Sequence, residues 1–202
     1  MVTYLAAFVQ ILFTAMFFEN IIFARALGTS TLFKLIRKGY KARLFGIIML
    51  FFVIFASSAS FLINKYVFMQ WVDKYYYAPL TYILTIGIVY IFLLVILSRA
   101  FPRVFRLVKN LIHLAAFNCA ILGGILLATT DSMLFLSYWK FIGFCIGTVI
   151  GFVLTAYLVE IAYPILYSEK IPAAFRGFPI SLIYLGILSM AIYGLYAGHL
   201  PF

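Results

Sequence analysis

Two short polar segments in an otherwise apolar sequence contain residues that could do chemistry. The first segment spans residues 19–30 and holds a carboxylate, an amide, a guanidinium, a Leu-Gly pair and a hydroxyl, from Glu19, Asn20, Arg25, Leu27, Gly28 and Ser30. The second is residues 118–124, which read Asn-Cys-Ala-Ile-Leu-Gly-Gly. Charged and amide groups inside a membrane mark ion or proton pathways, and a thiolate is a soft metal ligand. Both segments are therefore candidates for a functional site.

The surrounding composition predicts an all-α integral membrane protein. Of 202 residues, 67% are hydrophobic and 10% are charged, whereas a soluble domain carries roughly 25% charged residues. Stretches such as Phe45 to Phe55 and Tyr82 to Leu97 are apolar on every face, which excludes the alternating pattern of a β-barrel. We expect residues 1–202 to form a single transmembrane domain.

Six apolar stretches are long enough to be transmembrane helices. They lie near residues 3–27, 42–64, 77–98, 110–128, 137–163 and 174–198. Eleven lysines and arginines lie in the loops after spans one, three and five, and three lie on the opposite side. The positive-inside rule then predicts that both termini lie outside, and we expect the membrane to be a bacterial or archaeal cytoplasmic (inner) membrane. Since the basic residues are spread over these loops, the net charge of +10 indicates topology and not nucleic-acid binding.

The two polar segments interrupt spans one and four, which are equivalent positions in two halves of three spans. The halves are approximately residues 1–100 and 101–202. An odd number of crossings per half makes this an inverted 3+3 repeat, and interrupted helices in such repeats commonly meet near the bilayer midplane. We expect the functional centre between spans one and four, although close helix packing alone would also explain the glycines.

Three segments resemble the A-type membrane protein of the Rnf ferredoxin:NAD oxidoreductase and its counterpart, the E-type protein of the sodium-translocating NADH:quinone reductase. Residues 19–28 look like the family's Asn-Asn stretch that leads through a basic residue to Leu-Gly. Residues 118–123 are similar to the family's second motif. Residues 171–177, Ile-Pro-Ala-Ala-Phe-Arg-Gly, resemble the segment that opens the last helix. The resemblance covers nearly the whole chain.

The resemblance implies a [2Fe–2S] cluster shared with a sister subunit, with two cysteines from each. In this chain Cys119 matches one cysteine position, and Ser30 occupies the other. A serine hydroxyl is far less acidic than a thiol and would have to ionise to bind iron. Cys145 lies between Gly143 and Gly147 in span five and is expected to be a small buried residue at a helix contact.

The resemblance also implies a function, that of a membrane subunit in an Rnf/Nqr-like complex. Such a subunit would lie on the transmembrane electron and ion path with a D/E-type sister and other subunits, and Na⁺ or H⁺ would be moved. It would have no catalytic residue and no activity alone, within an oxidoreductase of ferredoxin:NAD or NADH:quinone type. The alternative is a diverged, cluster-less paralogue that acts as a small ion or solute transporter or as a structural partner.

Six further residues are assigned to the ion path or to the structure that supports it. They are Glu19, Asn20, Arg25, Gly28, Asn118 and Gly123. Glu19 is either a cation or proton site or a partner of Arg25, and Arg25 could itself extend to the cytoplasmic interface.

Overall fold

A computed structural model describes residues 2–39, 42–68, 74–131, 134, 137–169, 171–172 and 174–197, and all regular structure in these ranges is helical. The helices in chain order are α1 (Val2–Phe13), α2 (Ile21–Arg25), α3 (Thr29–Arg37), α4 (Ala42–Ile63), α5 (Lys74–Ala100), α6 (Pro102–Ala116), α7 (Cys119–Thr130), α8 (Tyr138–Leu166) and α9 (Phe178–Ala197). Two π-helical segments, Thr14–Phe18 and Asn64–Phe68, follow α1 and α4.

Three helical stretches are long and apolar enough to cross a membrane, and they match the predicted spans two, three and five. They are Ala42–Tyr66, Tyr77–Ala100 and Tyr138–Leu166. A bent pair of helices, Phe105–Ala116 and Cys119–Thr130, whose axes differ by 46°, is apolar and long enough together to be either a fourth, broken span or a re-entrant loop. The all-helical character of the described residues is confirmed, and the helix in the region of predicted span four is interrupted between Ala116 and Cys119.

The first and last predicted spans are shorter in the structure than in the sequence-based prediction. Apolar helix covers Leu5–Phe18 and Phe178–Gly194. The range 3–27 is divided because a π-helical segment ends at Phe18, and the last helix begins only after Gly177, whose φ of +101° is in the left-handed region. The inverted six-span repeat stays a prediction.

Two segments predicted as basic loops form amphipathic helices. α3 carries Lys34 and Arg37 in its last turn. α6 begins at Pro102, directly after the end of α5, because proline lacks the amide hydrogen that the first helical position does not need. The basic residues of these segments are therefore held in fixed helical positions.

Helix α8 is the centre of the packing, and its glycines bring the first helix close. A Cβ on Gly147 would lie 2.5 Å from the carbonyl oxygen of Leu12 and 2.8 Å from the Cβ of Ala15. Four residues on, a Cβ on Gly151 would lie 2.8 Å from the carbonyl oxygen of Met16. Small residues four apart allow two helix backbones to touch. The end of α1 and the π-helical segment therefore rest directly on α8.

The described residues of the third sequence motif, 171–172 and 174–177, lead into α9. The Arg176 guanidinium donates hydrogen bonds to the carbonyl oxygens of Glu169 and Ile171, at 3.1 and 3.2 Å. Helix α9 then reaches back to the first polar segment, where the Ser189 hydroxyl donates to the carbonyl oxygen of Phe23 at 2.6 Å. The motif thus positions the helix that supports α2.

Candidate functional site

Asn20 organises the first break in the chain. Its side-chain oxygen accepts hydrogen bonds from the amides of Ile22 and Phe23, at 3.0 and 3.4 Å, and so caps α2. Its amide nitrogen donates to the carbonyl oxygens of Met16 and Gly151, each at 3.0 Å. Asn20 is 1% exposed. One buried side chain therefore satisfies backbone groups on both sides of the break and ties them to α8.

A second break follows α2 within the same polar segment. Ala26 and Gly28 both have left-handed backbones, with φ of +55° and +85°. The helical path ends there, and α3 starts at Thr29 with Gly28 as its N-cap. The left-handed backbone suits glycine, which has no Cβ.

Asn118 organises the break in the second polar segment in a similar way. Its side-chain oxygen accepts a hydrogen bond from the amide of Ala120 at 3.0 Å and so caps α7. Its amide nitrogen lies 3.6 Å from the sulfur of Met49. In each polar segment, an asparagine is therefore the N-cap of the helix that follows the break. Asn20 makes more hydrogen bonds than Asn118.

The two polar segments pack against each other. A Cβ on Gly28 would lie 2.9 Å from the side-chain oxygen of Asn118 and 3.0 Å from the Cβ of Ala120. A Cβ on Gly123 would lie 2.5 Å from the Cδ1 of Leu27. Gly28 is therefore needed for this close approach, whereas a Cβ on Gly123 would meet only the flexible end of the Leu27 side chain and a more distant Ile21. The predicted meeting of residues 19–30 with residues 118–124 is present in the structure.

A polar cleft, here called the lysine cleft, lies between α3 and α6 on one side of this contact. It has a volume of about 540 Å³ and is lined by Ser30, Thr31, Lys34, Lys38, Asn110, His113, Leu114 and Phe117. Ser30 is exposed in the first turn of α3. The Tyr90 hydroxyl and the Nδ1 of His113 share a hydrogen bond at its wall.

A second cleft, here called the ion-pair cleft, lies at the far end of α7. It has a volume of about 420 Å³ and is lined by Ile11, Thr14, Glu19, Arg25, Leu127, Thr130, Asp131, Leu134 and Phe144. Arg25 and Glu19 form a salt bridge of 3.6 Å with both side chains about half exposed. The structure thus contains the Glu19–Arg25 pairing that was one of the two alternatives for Glu19.

The two cysteines have different surroundings. Cys119 is exposed and is the first residue of α7, in a small apolar cleft of about 200 Å³ that includes Ile86, Tyr90 and Phe117. Cys145 is 1% exposed, so its prediction as a buried residue is confirmed. Within the described ranges, no group of three or more His, Cys, Asp or Glu side chains could hold a metal ion.

Several supporting residues were missed from the sequence. Thr155 donates to the side-chain oxygen of Asn20 at 3.4 Å, and Phe152 fills the space beside Gly28. The repeated glycines of α8 were a signal for a close helix contact, but the sequence did not show which helix they contact.

Known proteins match this chain over most of its length. The sequence profile described as "Rnf-Nqr subunit, membrane protein" matches residues 8–197. The A-type protein of the ion-translocating oxidoreductase complex of Pectobacterium atrosepticum is 30% identical over 194 residues, which are 96% of each chain. The protein of the same name from Proteus mirabilis is 30% identical over 176 residues, 87% of this chain and 89% of the relative.

A third relative, which has the same name again, comes from Pseudoalteromonas translucida. It is 32% identical over 144 residues, which are 71% of this chain and 72% of the relative. All three matches cover more than two thirds of both proteins. The chain therefore belongs to the Rnf-Nqr family of membrane subunits.

Proposed function

We propose that this chain is the A-type membrane protein of an Rnf/Nqr-like ion-translocating oxidoreductase complex and lies on its transmembrane electron and ion path. The family assignment and the names of the relatives support membership of the complex. The chain has no catalytic residue of its own, and the redox chemistry belongs to the assembled complex. It works beside a D/E-type sister subunit in the cytoplasmic membrane, with both termini outside.

The observation that carries this proposal is the contact between the two interrupted segments. Gly28 lies against Asn118, where α3 and α7 begin. Broken helices leave backbone amides and carbonyls without intrahelical partners, and these groups can line a polar path where regular helices cannot. The lysine cleft reaches Phe117, beside the start of α7, and the ion-pair cleft lies at the end of this helix, which is about 18 Å long.

The ion-pair cleft supplies charged groups for Na⁺ or H⁺. Glu19 and Asp131 place carboxylates in it, beside the hydroxyls of Thr14 and Thr130. Hard cations prefer such oxygen ligands. Because the salt bridge with Arg25 is half exposed, it contributes little to folding stability and can open when a cation competes for Glu19.

A [2Fe–2S] cluster held by two thiolates from this chain does not fit its residues. Cys119 and Ser30 each lie in the first turn of the helix after a break, but only Cys119 is a thiol. The two residues also line different clefts, which share Phe117. We therefore assign the chain a single candidate ligand, Cys119, whose exposure leaves it accessible to ligands from a sister subunit.

The hydroxyl of Ser30 in a basic cleft favours a second candidate function, a cluster-less paralogue that moves an ion or solute through the same contact or supports a sister subunit. Iron analysis and electron paramagnetic resonance of the chain purified with its sister subunit separate the two candidates. If Cys119 is a ligand, the pair binds iron, Cys119→Ala loses it, and Cys145→Ala retains it.

A substitution at Ser30 tests the same function by a gain of iron binding. Ser30→Cys restores the second thiol and is expected to increase the iron content of the pair. Absence of iron in the wild-type pair, or full retention in Cys119→Ala, contradicts the electron-carrier function and leaves the cluster-less alternative.

A further inference from the structure

We propose that the lysine cleft is a binding site for a phosphate-bearing anion, such as the headgroup of an anionic phospholipid or a soluble phosphate ester. This cleft is distinct from the ion-pair cleft, and the proposal does not depend on iron or on electron transfer. Its volume of about 540 Å³ is within the range of roughly 300–1,000 Å³ that is usual for ligand sites.

The lysine cleft carries positive charge, and no acidic side chain among the described residues of its lining neutralises that charge. Lys34 lies in the last turn of α3, Lys38 is the C-cap residue of the same helix, and both line the cleft. In the part of the chain that the structure describes, neither lysine forms a salt bridge, and the cleft lining includes no acidic residue. Two adjacent ammonium groups without counter-charge attract an anion strongly where lipid limits the access of water.

The first turn of α3 adds hydrogen-bond donors. The first intrahelical bond runs from the Leu32 amide to the carbonyl oxygen of Gly28, at 3.0 Å. The amides of Thr29, Ser30 and Thr31 precede it and have no acceptor within the helix. Gly28 has no side chain to cap them. Two of these residues, Ser30 and Thr31, line the cleft, so the positive end of the helix borders it.

Thr31 is the observation that points to a ligand. It is 6% exposed and lines the cleft, yet its hydroxyl has no hydrogen-bond partner among the residues that the structure describes. Since Thr31 lines the cleft and is otherwise enclosed, its hydroxyl is free to donate to a ligand bound there. A phosphate oxygen held between Thr31 and Lys34 would accept this hydrogen bond.

The opposite wall, from α6, has both polar and apolar character. The Nδ1 of His113 is engaged by Tyr90, so only its Nε2 could bind a ligand. Asn110 contributes an amide, and Leu114 and Phe117 extend the wall with apolar surface. Polar groups beside exposed apolar surface suit a headgroup with attached acyl chains, since basic clefts between membrane helices bind anionic lipids.

The test uses the full chain purified in detergent. Native mass spectrometry compares retention of phosphatidylglycerol with that of phosphatidylcholine, and thermal unfolding is measured with and without inorganic phosphate. In the double variant Lys34→Gln/Lys38→Gln, we expect affinity for the anion to fall roughly tenfold or more, because each lysine near a phosphate contributes about fivefold.

Two further variants separate a defined site from general charge attraction. Arg106→Gln/Lys109→Gln removes the same charge from exposed positions of α6 outside the cleft and is expected to bind as the wild type does. Thr31→Val keeps all charge and shape and is expected to weaken binding severalfold. Selective retention of phosphatidylglycerol identifies a lipid headgroup, and stabilisation by inorganic phosphate alone identifies a soluble phosphate ester.

Three results would overturn the proposal. One is the absence of both responses in the wild type. Another is an equal loss of anion affinity in the two double variants. The last is an unchanged anion affinity in Thr31→Val. In either of these two cases, charge attraction without a defined site would explain the binding. The iron analysis is unaffected by any of these outcomes, so the two proposals can fail separately.

Discussion

Gly28 and Asn118, one from each interrupted segment, are in direct contact: a Cβ added to Gly28 would lie 2.9 Å from the side-chain oxygen of Asn118. The contact joins residues that are 90 positions apart in sequence. It holds the starts of α3 and α7 together, so its loss would separate the two breaks.

Substitution Gly28→Ala tests this contact, with Gly39→Ala as its matched control. Both glycines have positive φ, +85° and +66°, but a Cβ on Gly39 would meet nothing within 4 Å. Each alanine is strained by roughly 1–2 kcal/mol in the left-handed region, and Gly28→Ala should lose about 1–3 kcal/mol more through overpacking. Denaturant unfolding in detergent measures the difference. Equal losses would show that the segments do not pack as described.

The caps of the two breaks differ in strength, which predicts unequal effects of alanine substitution. Asn20→Ala removes a cap and two buried donor bonds to backbone carbonyls and should cost about 2–4 kcal/mol. Asn118→Ala removes one backbone hydrogen bond and a weak contact with sulfur and should cost about 1 kcal/mol. A larger loss for Asn118→Ala in the same unfolding assay would contradict the hydrogen-bond assignment.

The glycine surface of α8 predicts a position that does not tolerate even one methyl group. In Gly147→Ala the new Cβ would lie 2.5 Å from a backbone oxygen of α1, which cannot move aside as a flexible side chain can. Alanine is otherwise favoured over glycine in a helix by about 1 kcal/mol. We expect Gly147→Ala to lower the melting temperature, and Gly186→Ala, which meets nothing within 4 Å, to leave it unchanged or raise it. If Gly186→Ala lowered the melting temperature and Gly147→Ala did not, α1 could not be in close contact with α8.

The two cysteines should differ in reactivity. In the isolated chain, membrane-permeant N-ethylmaleimide is expected to modify the exposed Cys119 and not the buried Cys145. Mass spectrometry of the native and unfolded chain counts the modified thiols, with Cys119→Ala and Cys145→Ala to assign them. Protection of Cys119 when a sister subunit is present would show that the partner covers this cleft. Rapid native labelling of Cys145 would mean that α8 is not packed as described.

The sequence was sufficient to locate the polar segments but not to define their geometry. Asparagine followed by Leu-Gly within apolar sequence identified both breaks, because such residues are costly in a regular membrane helix. The hydrogen bond of Asn20 to Gly151 was not predictable, since nothing local to either residue specifies a partner 131 positions away. Hydropathy also failed to detect α3 and the first half of α6, because amphipathic helices have low average hydropathy.

For Cys145 and Ser30, too, the sequence predicted some features and could not predict others. Burial of Cys145 followed from its glycine neighbours in an apolar run. The location of Ser30 in a cleft with Lys34 and Lys38 depended on α3 being a helix that packs beside α6, and the sequence alone suggested a loop there. Residue types therefore indicated which groups matter, and long-range packing decided which of them are neighbours.

The distance in sequence between Asn20 and Gly151 has a consequence for biosynthesis. Residues 19–30 leave the ribosome long before α8 does, and until then the Asn20 amide lacks the carbonyl that it finally binds. The early chain must therefore keep this segment hydrated or near a lipid headgroup, or transiently bound by the insertion machinery. The break acquires its final shape only when the late helix α8 enters the membrane and closes over it.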